Sequence, residues 1–359
     1  MKKVPKYKAV KDFIEKGIAA GEYLPGDKLP NENELTEMLG VSSITVKKAM
    51  AELVNEGVIS RIPGKGSFVN EIRNNAAQSS QKLIAFLLSC QDVNDSSCMQ
   101  IMMGVQSCLA SGGYSMIVEH PGDDPDRELQ IIMRLLDNHV AGFILFSANP
   151  ERSIDNYIYL RNKNIPYVLL DRWVDYLPAN SVACNNHDGA FSAVEYLIEL
   201  GHRKIGFVAD NFYLSSEKER YRGYCNALKM ASIPVEKRIV FCDPESDYSR
   251  IMEAVKNKEL TALFAVNDRK GLELLNMLLD NGISIPDDVS IMGFDDYEAS
   301  KYARIPLSTV RQHFEREGYI AAQILLDTIK GYKTRYNKIL VGTEIVIRSS
   351  TEALRKNRT

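Results

Sequence analysis

The sequence predicts an α/β protein with a small N-terminal domain and a larger C-terminal domain of parallel, doubly wound sheets. Three observations predict this fold. The first 70 residues hold short helix patterns and one hairpin pattern, a polar segment without periodicity follows, and from Lys82 onward apolar strand patterns alternate with amphipathic helix patterns. Repeated strand–helix units of about 25–30 residues indicate parallel strands that are covered by helices. At 359 residues the chain is also too long for a single core.

The composition is that of an ordinary globular protein, with 45% hydrophobic residues, 25% charged residues and a formal net charge of −3. The chain has no run of about 20 apolar residues, and its N-terminus has no apolar signal core, so we expect a cytoplasmic protein without a membrane span. The six cysteines have no metal-binding spacing and no nearby histidine pair. We therefore expect reduced thiols, no metal and no cofactor.

Helical spacing predicts three helices in the first domain. The first spans Tyr7–Ala20, and Asn31 with Glu34 has the spacing of a capping box that begins the second. Gly40 ends that second helix, and Ser42 caps the third. The positions expected to be buried on these helices are Val10, Phe13, Ile14, Ile18, Leu35, Met38, Leu39, Val46, Ala49, Met50, Leu53 and Val54.

A hairpin pattern follows the third helix. Its strands are predicted at Val58–Arg61 and Ser67–Val69, with Lys65 between two glycines at the tip. Two helices joined by a Gly-Val-Ser turn and followed by such a hairpin form a winged helix-turn-helix, which places a helix in a DNA groove. The segment resembles the GntR-type winged helix over about residues 5–70, through the patterns P-x-E-x-E-L, G-V-S-x-x-T-V-x-x-A and G-x-G-S/T-F-V.

This resemblance implies double-stranded operator DNA as a partner. The candidate DNA-contacting residues, including a second exposed lysine on the third helix, are Asn33, Ser43, Thr45, Lys47, Lys48 and Lys65. The alternative for the two helix lysines is a solvated helix face, and for the threonine an ordinary polar surface position. The family usually has arginine at the positions of Asn33 and Ser43, so two bidentate guanine contacts are missing and the base preference should differ.

Residues 71–81 carry almost no apolar content and predict a linker between a DNA-binding domain at 1–70 and a second domain at 82–359. In that second domain, the strands are predicted at Leu83–Leu88, Ser115–Val118, Gly142–Phe146, Tyr167–Leu170, Lys204–Ala209, Ile239–Phe241, Ala262–Val266 and Ser290–Gly293. Ligands of such sheets bind beyond the carboxyl ends of the strands. Polar residues stand just past several of those ends, namely Ser89, Ser147, Asp171, Asn267 and Asp295.

These polar side chains suit ligand binding better than catalysis. Carboxylate, amide and guanidinium groups offer the paired acceptors and donors that vicinal sugar hydroxyls require. A kinase or an oxidoreductase would need a phosphate-binding loop or a dinucleotide fingerprint, and a hydrolase would need a nucleophile motif, and the sequence contains none of these. We therefore expect a binding protein and not an enzyme.

Five segments carry a second resemblance. They are VLLDR at 168–172, DGAFSAVEYLIELGHRKIGFV at 188–208, ERYRGYCNAL at 219–228, ALFAVND at 262–268 and PDDVSIMGFDD at 286–296, and they look like the LacI-type effector domain. Two later segments, LSTVRQ at 307–312 and IVIRSST at 345–351, look like it as well. The resemblance covers about residues 82–352. It implies a periplasmic-binding-protein-like fold in which the chain crosses three times between two lobes, one holding 82–182 with 311–341 and the other 183–310 with 342–352.

The same resemblance implies a set of sugar contacts. Asp171 would accept from hydroxyls, Arg220 would donate across the cleft, Asn267 and Asp295 would fix neighbouring hydroxyls, and Tyr248 would stack on the sugar. Ser89 and Ser147 are further candidates. The structural alternatives are a helix cap for Asp295, a turn-ordering role for Asn267, a surface ion pair for Arg220 and a plain helix-start aromatic for Tyr248.

A GntR-type head joined to a LacI-type sensor implies a sugar-responsive transcriptional repressor. It would act as a homodimer, because a two-fold protein matches a pseudo-palindromic operator. L-Arabinose is one candidate effector, and another pentose, a hexose or a sugar derivative is the alternative. A transport-type sugar-binding protein would share the second domain but would have no use for a winged helix.

Overall fold

The structure is a computed structural model that describes residues 6–55, 57–62, 65–70, 82–89, 96–209, 214–242, 244–332 and 336–354. The chain forms two compact units, Met1–Gln81 and Lys82–Thr359. The predicted linker, residues 71–81, lies outside the described residues. Within the described ranges, no helix is long and apolar enough to cross a membrane.

The N-terminal unit has the predicted order of three helices and a hairpin. Its elements are α1 (Lys6–Ala19), α2 (Glu32–Leu39), α3 (Ser43–Asn55), β1 (Ile59–Ile62) and β2 (Gly66–Val69). The two strands pair antiparallel, with Ile59 opposite Val69 and Ile62 opposite Gly66. The order therefore matches that of a winged helix-turn-helix.

The predicted capping box begins α2. The Asn31 side chain accepts hydrogen bonds from the N–H groups of Asn33 and Glu34, each at 3.0 Å, and the Glu34 carboxylate accepts from the Asn31 N–H at 2.7 Å. Gly40 follows the helix with a φ of 61°, a left-handed conformation that glycine adopts without steric cost. These local interactions fix where α2 begins and where the turn toward α3 starts.

The core of this unit draws apolar side chains from the three helices, both strands and the α1–α2 connection. Two predicted core positions are wrong, because Met38 is 58% exposed and Val54 is 36% exposed. One residue step turns a helical side chain by about 100°. Val54 follows the buried Leu53 and Met38 precedes the half-buried Leu39, so each lies at the edge of its apolar stripe and points off the core.

The larger unit contains two lobes. The first lobe is formed by β3 (Lys82–Leu88), α4 (Ser96–Ser111), β4 (Tyr114–Glu119), α5 (Pro125–Asp137), β5 (Gly142–Phe146), α6 (Ile154–Asn162), β6 (Tyr167–Leu170) and β7 (Asn180–Cys184). Two late elements, α12 (Phe314–Ile329) and β13 (Lys338–Val341), complete this lobe. Its six strands lie in the order β13-β7-β6-β5-β3-β4, and every pair is parallel.

The second lobe is built in the same way. Its elements are α7 (Asn186–Glu199), β8 (Ile205–Val208), α8 (Ser215–Met230), β9 (Val240–Phe241), α9 (Pro244–Lys256), β10 (Ala262–Ala265), α10 (Asp268–Asp280), β11 (Ser290–Met292), α11 (Glu298–Lys301), β12 (Thr309–Arg311) and β14 (Glu344–Val346). A parallel sheet runs β11-β10-β8-β9, while β12 and β14 pair antiparallel. The two parallel sheets confirm the predicted doubly wound α/β class.

Both faces of each sheet are buried. On β3, Phe86 packs into one core while Leu87 packs into the core on the other face. On β10, Phe264 and Leu263 divide in the same way between the two cores of the second lobe. Strands with two buried faces appear in a sequence as continuous apolar runs, which is why most of them were predictable.

The chain passes between the lobes after β7, between β12 and α12, and between β13 and β14. The first passage follows Cys184, two residues later than expected, because β7 stays paired with β13 up to that residue. The sequence pattern does not predict β7 or β13. β13 becomes a strand by pairing with β7, which lies far earlier in the sequence, and β7 fills the sheet position between β13 and β6.

Candidate functional site

In the N-terminal unit, the predicted DNA-contacting side chains lie on α2, α3 and the wing. Asn33 on α2 and Lys65 in the wing are exposed, and Ser43 and Thr45 in the first turn of α3 are half-buried. The Thr45 hydroxyl lies 2.8 Å from the hydroxyl of Ser42, which precedes the helix. The start of α3 therefore presents short polar side chains, as an N-terminal recognition turn requires.

The two lysines of α3 differ in their surroundings. Both Lys47 and Lys48 are exposed. The Lys48 ammonium group lies 4.3 Å from the centre of the Tyr7 ring on α1, a cation–π contact within this unit. That contact ties Lys48 to α1, so Lys47 is the better candidate for a DNA phosphate.

We predict that Lys47→Ala weakens operator binding at every sequence tested and lowers the slope of log affinity against log salt by about 1, because one phosphate contact is removed. Fluorescence anisotropy over a salt series would measure both quantities. Lys16→Ala, which removes an exposed lysine of α1, is the matched control. A salt slope unchanged in the Lys47 variant would exclude the phosphate contact.

In the larger unit, a cavity of about 900 Å³ lies between the lobes, beyond the carboxyl ends of the strands. Four predicted effector residues line it, namely Ser89, Asp171, Arg220 and Asp295. Ser89 follows β3 and Asp171 follows β6 in the first lobe, whereas Arg220 lies on α8 and Asp295 lies beyond β11 in the second. The fold thus brings side chains from both lobes to one cleft, the position where open parallel sheets bind ligands.

Arg220 and Asp295 form a buried ion pair in this cleft. The Arg220 Nη2 lies 3.1 Å from the Asp295 Oδ1, and both side chains are 6% exposed. Arg220 also donates through Nε to the Asn186 Oδ1 and through Nη1 to the Val266 carbonyl, both at 2.7 Å. Its guanidinium carbon stands 3.8 Å from the centre of the Phe294 ring. Arg220 is therefore held rigidly and is not the mobile surface arm that was its alternative role.

The two cleft aspartates share an uncommon backbone conformation. Asp171 has a φ of 67° and Asp295 a φ of 120°, values that non-glycine residues rarely adopt. Their N–H groups donate to the carbonyls of Val182 and Val310, each at 2.7 Å. A strained backbone conformation persists only where the surrounding structure holds it in place. Such conformations are typical of ligand-binding positions.

Ser147 does not line the cleft. Its hydroxyl donates to the buried Glu128 on α5 at 2.9 Å and lies 2.5 Å from the Tyr157 hydroxyl on α6. Successive strand residues point to opposite faces of a sheet, so Phe146 reaches the cavity and Ser147 the opposite side. The Ser147 carbonyl instead accepts from Arg172 at 3.0 Å.

Tyr248 and Asn267 also lie away from the cavity lining. The Tyr248 hydroxyl donates to Glu273 at 3.1 Å, and its ring packs against the core beneath α9. Asn267 is the N-cap of α10, where its Oδ1 accepts from the Lys270 N–H at 2.8 Å. Asn267 therefore has the ordering role that was its alternative. The sugar contacts predicted at Ser147, Tyr248 and Asn267 find no support in the cavity lining and stay predictions.

Several lining residues were missed by sequence reasoning. Gln312 donates to the Asp295 Oδ1 at 2.6 Å, and Phe314 and Phe146 bring aromatic rings to the lining. Arg172, which directly follows Asp171, donates to the carbonyl of Ala148 at 2.7 Å and also lines the cavity. The sequence signal that could have identified Arg172 was its position next to Asp171. No sequence pattern marked the phenylalanines, because buried apolar residues are common in every core.

Asp268 organises the loop that carries Asp295 and Tyr297. Its carboxylate is fully buried and accepts from the Tyr297 N–H at 2.9 Å, from the Ser300 hydroxyl at 2.6 Å and from the Thr309 hydroxyl at 2.5 Å. Burial, with repulsion from Asp295 as the second cause, raises the pKa of Asp268 from 3.8 to about 8. The loop beside the cleft thus depends on an acid that resists ionisation.

We predict that Asp268→Asn reduces the loss of stability that accompanies rising pH. The unfolded chain releases the proton of Asp268 near 3.8, while the folded protein keeps it up to a pKa of about 8. The stabilising contribution is therefore complete below the unfolded pKa and lost as the pH rises through the folded pKa. Urea unfolding at several pH values between these two pKa values would measure the slope, and equal slopes for both proteins would contradict the assignment.

Comparison with known proteins bears on both sites. Residues 6–69 match the model of bacterial regulatory proteins of the gntR family, and residues 194–351 match the periplasmic binding protein-like domain. The chain is 27% identical over 367 residues to an arabinose metabolism transcriptional repressor of Geobacillus stearothermophilus, a match that covers 98% of this chain and 99% of that protein.

Two solved structures resemble the described fold. A LacI family transcriptional regulator from Enterococcus faecalis with bound ribose aligns with a TM-score of 0.63 at 25% identity and covers 76% of this chain and 100% of its own. The complex of the transcriptional regulator CelR with cellobiose aligns with a TM-score of 0.66 at 24% identity, over 87% of this chain and 92% of its own. The chain therefore joins a gntR-type winged helix-turn-helix domain to a periplasmic-binding-protein-like domain.

Proposed function

We propose that this protein is a sugar-responsive repressor of carbohydrate-utilisation genes and that a sugar in the interlobe cleft releases it from its operator. The observation that carries the proposal is the composition of the cavity. Asp171 and Asp295 offer acceptors, Arg220 offers donors, and Phe146 and Phe314 offer apolar surface for the C–H groups of a sugar ring. These groups match the hydroxyls and the C–H face of a sugar, which supports a sugar-binding regulator.

L-Arabinose is the first candidate effector, because the relative from Geobacillus stearothermophilus is a repressor of arabinose metabolism. D-Ribose is the second, because the Enterococcus faecalis regulator was solved with ribose. We further propose a cytoplasmic homodimer, since a two-fold protein matches a two-fold operator. Effector binding that shifts the dimer needs a coupling of only about 1–3 kcal/mol to change DNA affinity about 5–150-fold.

A mobility-shift assay with the DNA upstream of the gene, with and without L-arabinose, D-ribose and a panel of hexoses, tests the proposal. We expect one sugar to release the DNA. Operator binding that no sugar alters would overturn it.

Direct binding can be followed in the same samples. Trp173 is the sole tryptophan of the sequence, and its backbone N–H donates to the Ser215 hydroxyl of the opposite lobe at 3.0 Å. A change in the distance between the lobes should therefore alter tryptophan fluorescence when sugar binds. Trp173→Phe should abolish the signal without abolishing operator release, which separates the optical reporter from the response.

A further inference from the structure

The cavity between the lobes is large for a single sugar ring. Its volume is about 900 Å³, near the upper end of the range of about 300–1,000 Å³ that is typical of pockets for drug-sized ligands. A pentose is much smaller than such a ligand. A pentose that contacts Asp171, Arg220 and Asp295 would therefore leave much of the cavity unfilled.

This volume does not result from widely separated lobes, because the lobes already touch beside α8. The Trp173 N–H of the first lobe donates to the Ser215 hydroxyl of the second lobe at 3.0 Å. The Lys218 ammonium group on α8 lies 2.9 Å from the Glu151 carboxylate of the first lobe. The cavity keeps its size while the lobes are in contact, so a ligand of more than one ring can occupy it.

The residues that line the cavity on the second lobe range from buried to exposed. Arg220 and Asp295 are each only 5% exposed, whereas Tyr302 is 79% exposed and lines the same cavity. Arg269 and Glu298 also line the cavity and are exposed. The buried pair therefore lies deep in the cavity, and Arg269, Glu298 and Tyr302, here called the mouth residues, lie where it opens.

The mouth residues belong to two elements that are tied together. Arg269 lies in the first turn of α10, Glu298 begins α11, and Tyr302 directly follows α11. The Asp268 carboxylate at the start of α10 accepts from the Ser300 hydroxyl of α11 at 2.6 Å. The fold thus holds the mouth residues in a fixed arrangement at one edge of the cavity.

The mouth residues repeat the chemistry of the deeper sugar contacts. The Arg269 guanidinium can donate, the Glu298 carboxylate can accept, and the Tyr302 ring offers an apolar face. These are the contacts that the hydroxyls and the C–H face of a sugar ring require. Among the described residues that line the cavity, three arginines stand with four acidic residues, which favours an uncharged ring over a phosphorylated sugar.

We propose that the effector contains at least two sugar rings, as a disaccharide or a short oligosaccharide does, and that the mouth residues bind the second ring. The inference rests on the proposed function and names the size class of its ligand. The first ring contacts Asp171, Arg220 and Asp295 as proposed above. The second ring stacks on Tyr302 and exchanges hydrogen bonds with Arg269 and Glu298. L-Arabinose is then one unit of the effector.

Isothermal titration calorimetry of the full chain compares each monosaccharide with a disaccharide that is built from it. The pairs are L-arabinose with arabinobiose, D-xylose with xylobiose and D-glucose with cellobiose. Tyr302→Ala removes the stacking surface, and because Tyr302 is 79% exposed the variant should fold normally. Tyr332→Ala is the matched control, since Tyr332 is 78% exposed and is not among the described residues that line the cavity.

We expect at least one disaccharide to bind the wild type about tenfold more tightly than its monosaccharide does, because the second ring adds contacts. Tyr302→Ala should lose most of this difference and keep its affinity for the monosaccharide, while Tyr332→Ala should match the wild type. The inference is overturned if no disaccharide binds more tightly than its own monosaccharide. It is also overturned if Tyr302→Ala keeps the full difference or weakens both ligands of a pair equally.

Failure of the two proposals is distinguishable. If neither a monosaccharide nor a disaccharide releases the operator in the mobility-shift assay, the proposed function and this inference are both wrong. Release by a monosaccharide without any gain in affinity from a second ring overturns this inference alone.

Discussion

Replacing Arg220 by methionine should abolish sugar-induced release of the operator and lower the free energy of unfolding by about 3–5 kcal/mol, the range for breaking a buried ion pair. Methionine keeps much of the volume of the arginine side chain but removes every donor. The variant can no longer donate hydrogen bonds to Asp295, to Asn186 or to the carbonyl of Val266. Asp295 would then stay buried without its ionic partner, although Gln312 would still donate to its Oδ1.

A second variant separates the two effects. Arg220→Met combined with Asp295→Asn removes the uncompensated charge and should recover part of the stability, yet it should stay unresponsive to sugar. Urea unfolding gives the stability, and the mobility-shift assay gives the response. A normal sugar response in Arg220→Met would exclude Arg220 from the effector site, whatever the stability shows.

Replacing Gly104 by alanine should destabilise the larger unit by about 3 kcal/mol or more, because the methyl group has no space. A Cβ at this position would lie 1.9 Å from the carbonyl oxygen of Glu315 on α12. The close approach is reciprocal, since a Cβ at Gly318 would lie 2.3 Å from the carbonyl oxygen of Ile101 on α4. The obstacles are backbone atoms, so the two helices would have to separate.

Gly342→Ala is the matched control. Gly342 lies between β13 and β14, its φ is outside the left-handed range, and no heavy atom outside its immediate neighbours stands within 4 Å of a Cβ built there. Thermal unfolding of the full chain should show a clear loss for Gly104→Ala and almost none for Gly342→Ala. Equal melting temperatures for the two variants would contradict the close packing of α4 on α12.

Because Phe314 of α12 lines the cavity, this packing also bears on the cleft. Gly104→Ala should therefore weaken sugar binding at temperatures where the variant is still folded. A variant that is destabilised but binds sugar normally would show that the cleft is insensitive to the spacing of these helices.

Much of the fold was predictable because the signals are local. The capping box at Asn31 and Glu34 is a contact between residues three apart, and the buried strands β3, β5 and β6 are apolar runs of the sequence. The strand β13 was missed, since it pairs with β7, which lies far earlier in the chain. β7 was missed as well, although its other partner, β6, is close in sequence. Local chemistry thus predicts an element only when the element needs no distant partner.

The candidate site residues also divide into those that local sequence signals identify and those that depend on the packed structure. Asp171, Arg220 and Asp295 could be placed from the motifs that surround them, and all three reach the cavity. Ser147 and Tyr248 have equally suitable side chains but point elsewhere, and nothing in the sequence says which face of a sheet or helix will border a cleft.

The sequence by itself determined the division into two domains, the winged helix-turn-helix and the α/β class. Capping, turn chemistry and hydrophobic periodicity act over a few residues, so a sequence shows them directly. Only the tertiary structure decided which polar groups meet between the lobes and how burial raises the pKa of Asp268 beside them. Those properties depend on all the charges that surround a group and on the exclusion of water from it. The surrounding groups come from segments that are distant in sequence, so no single segment reveals them.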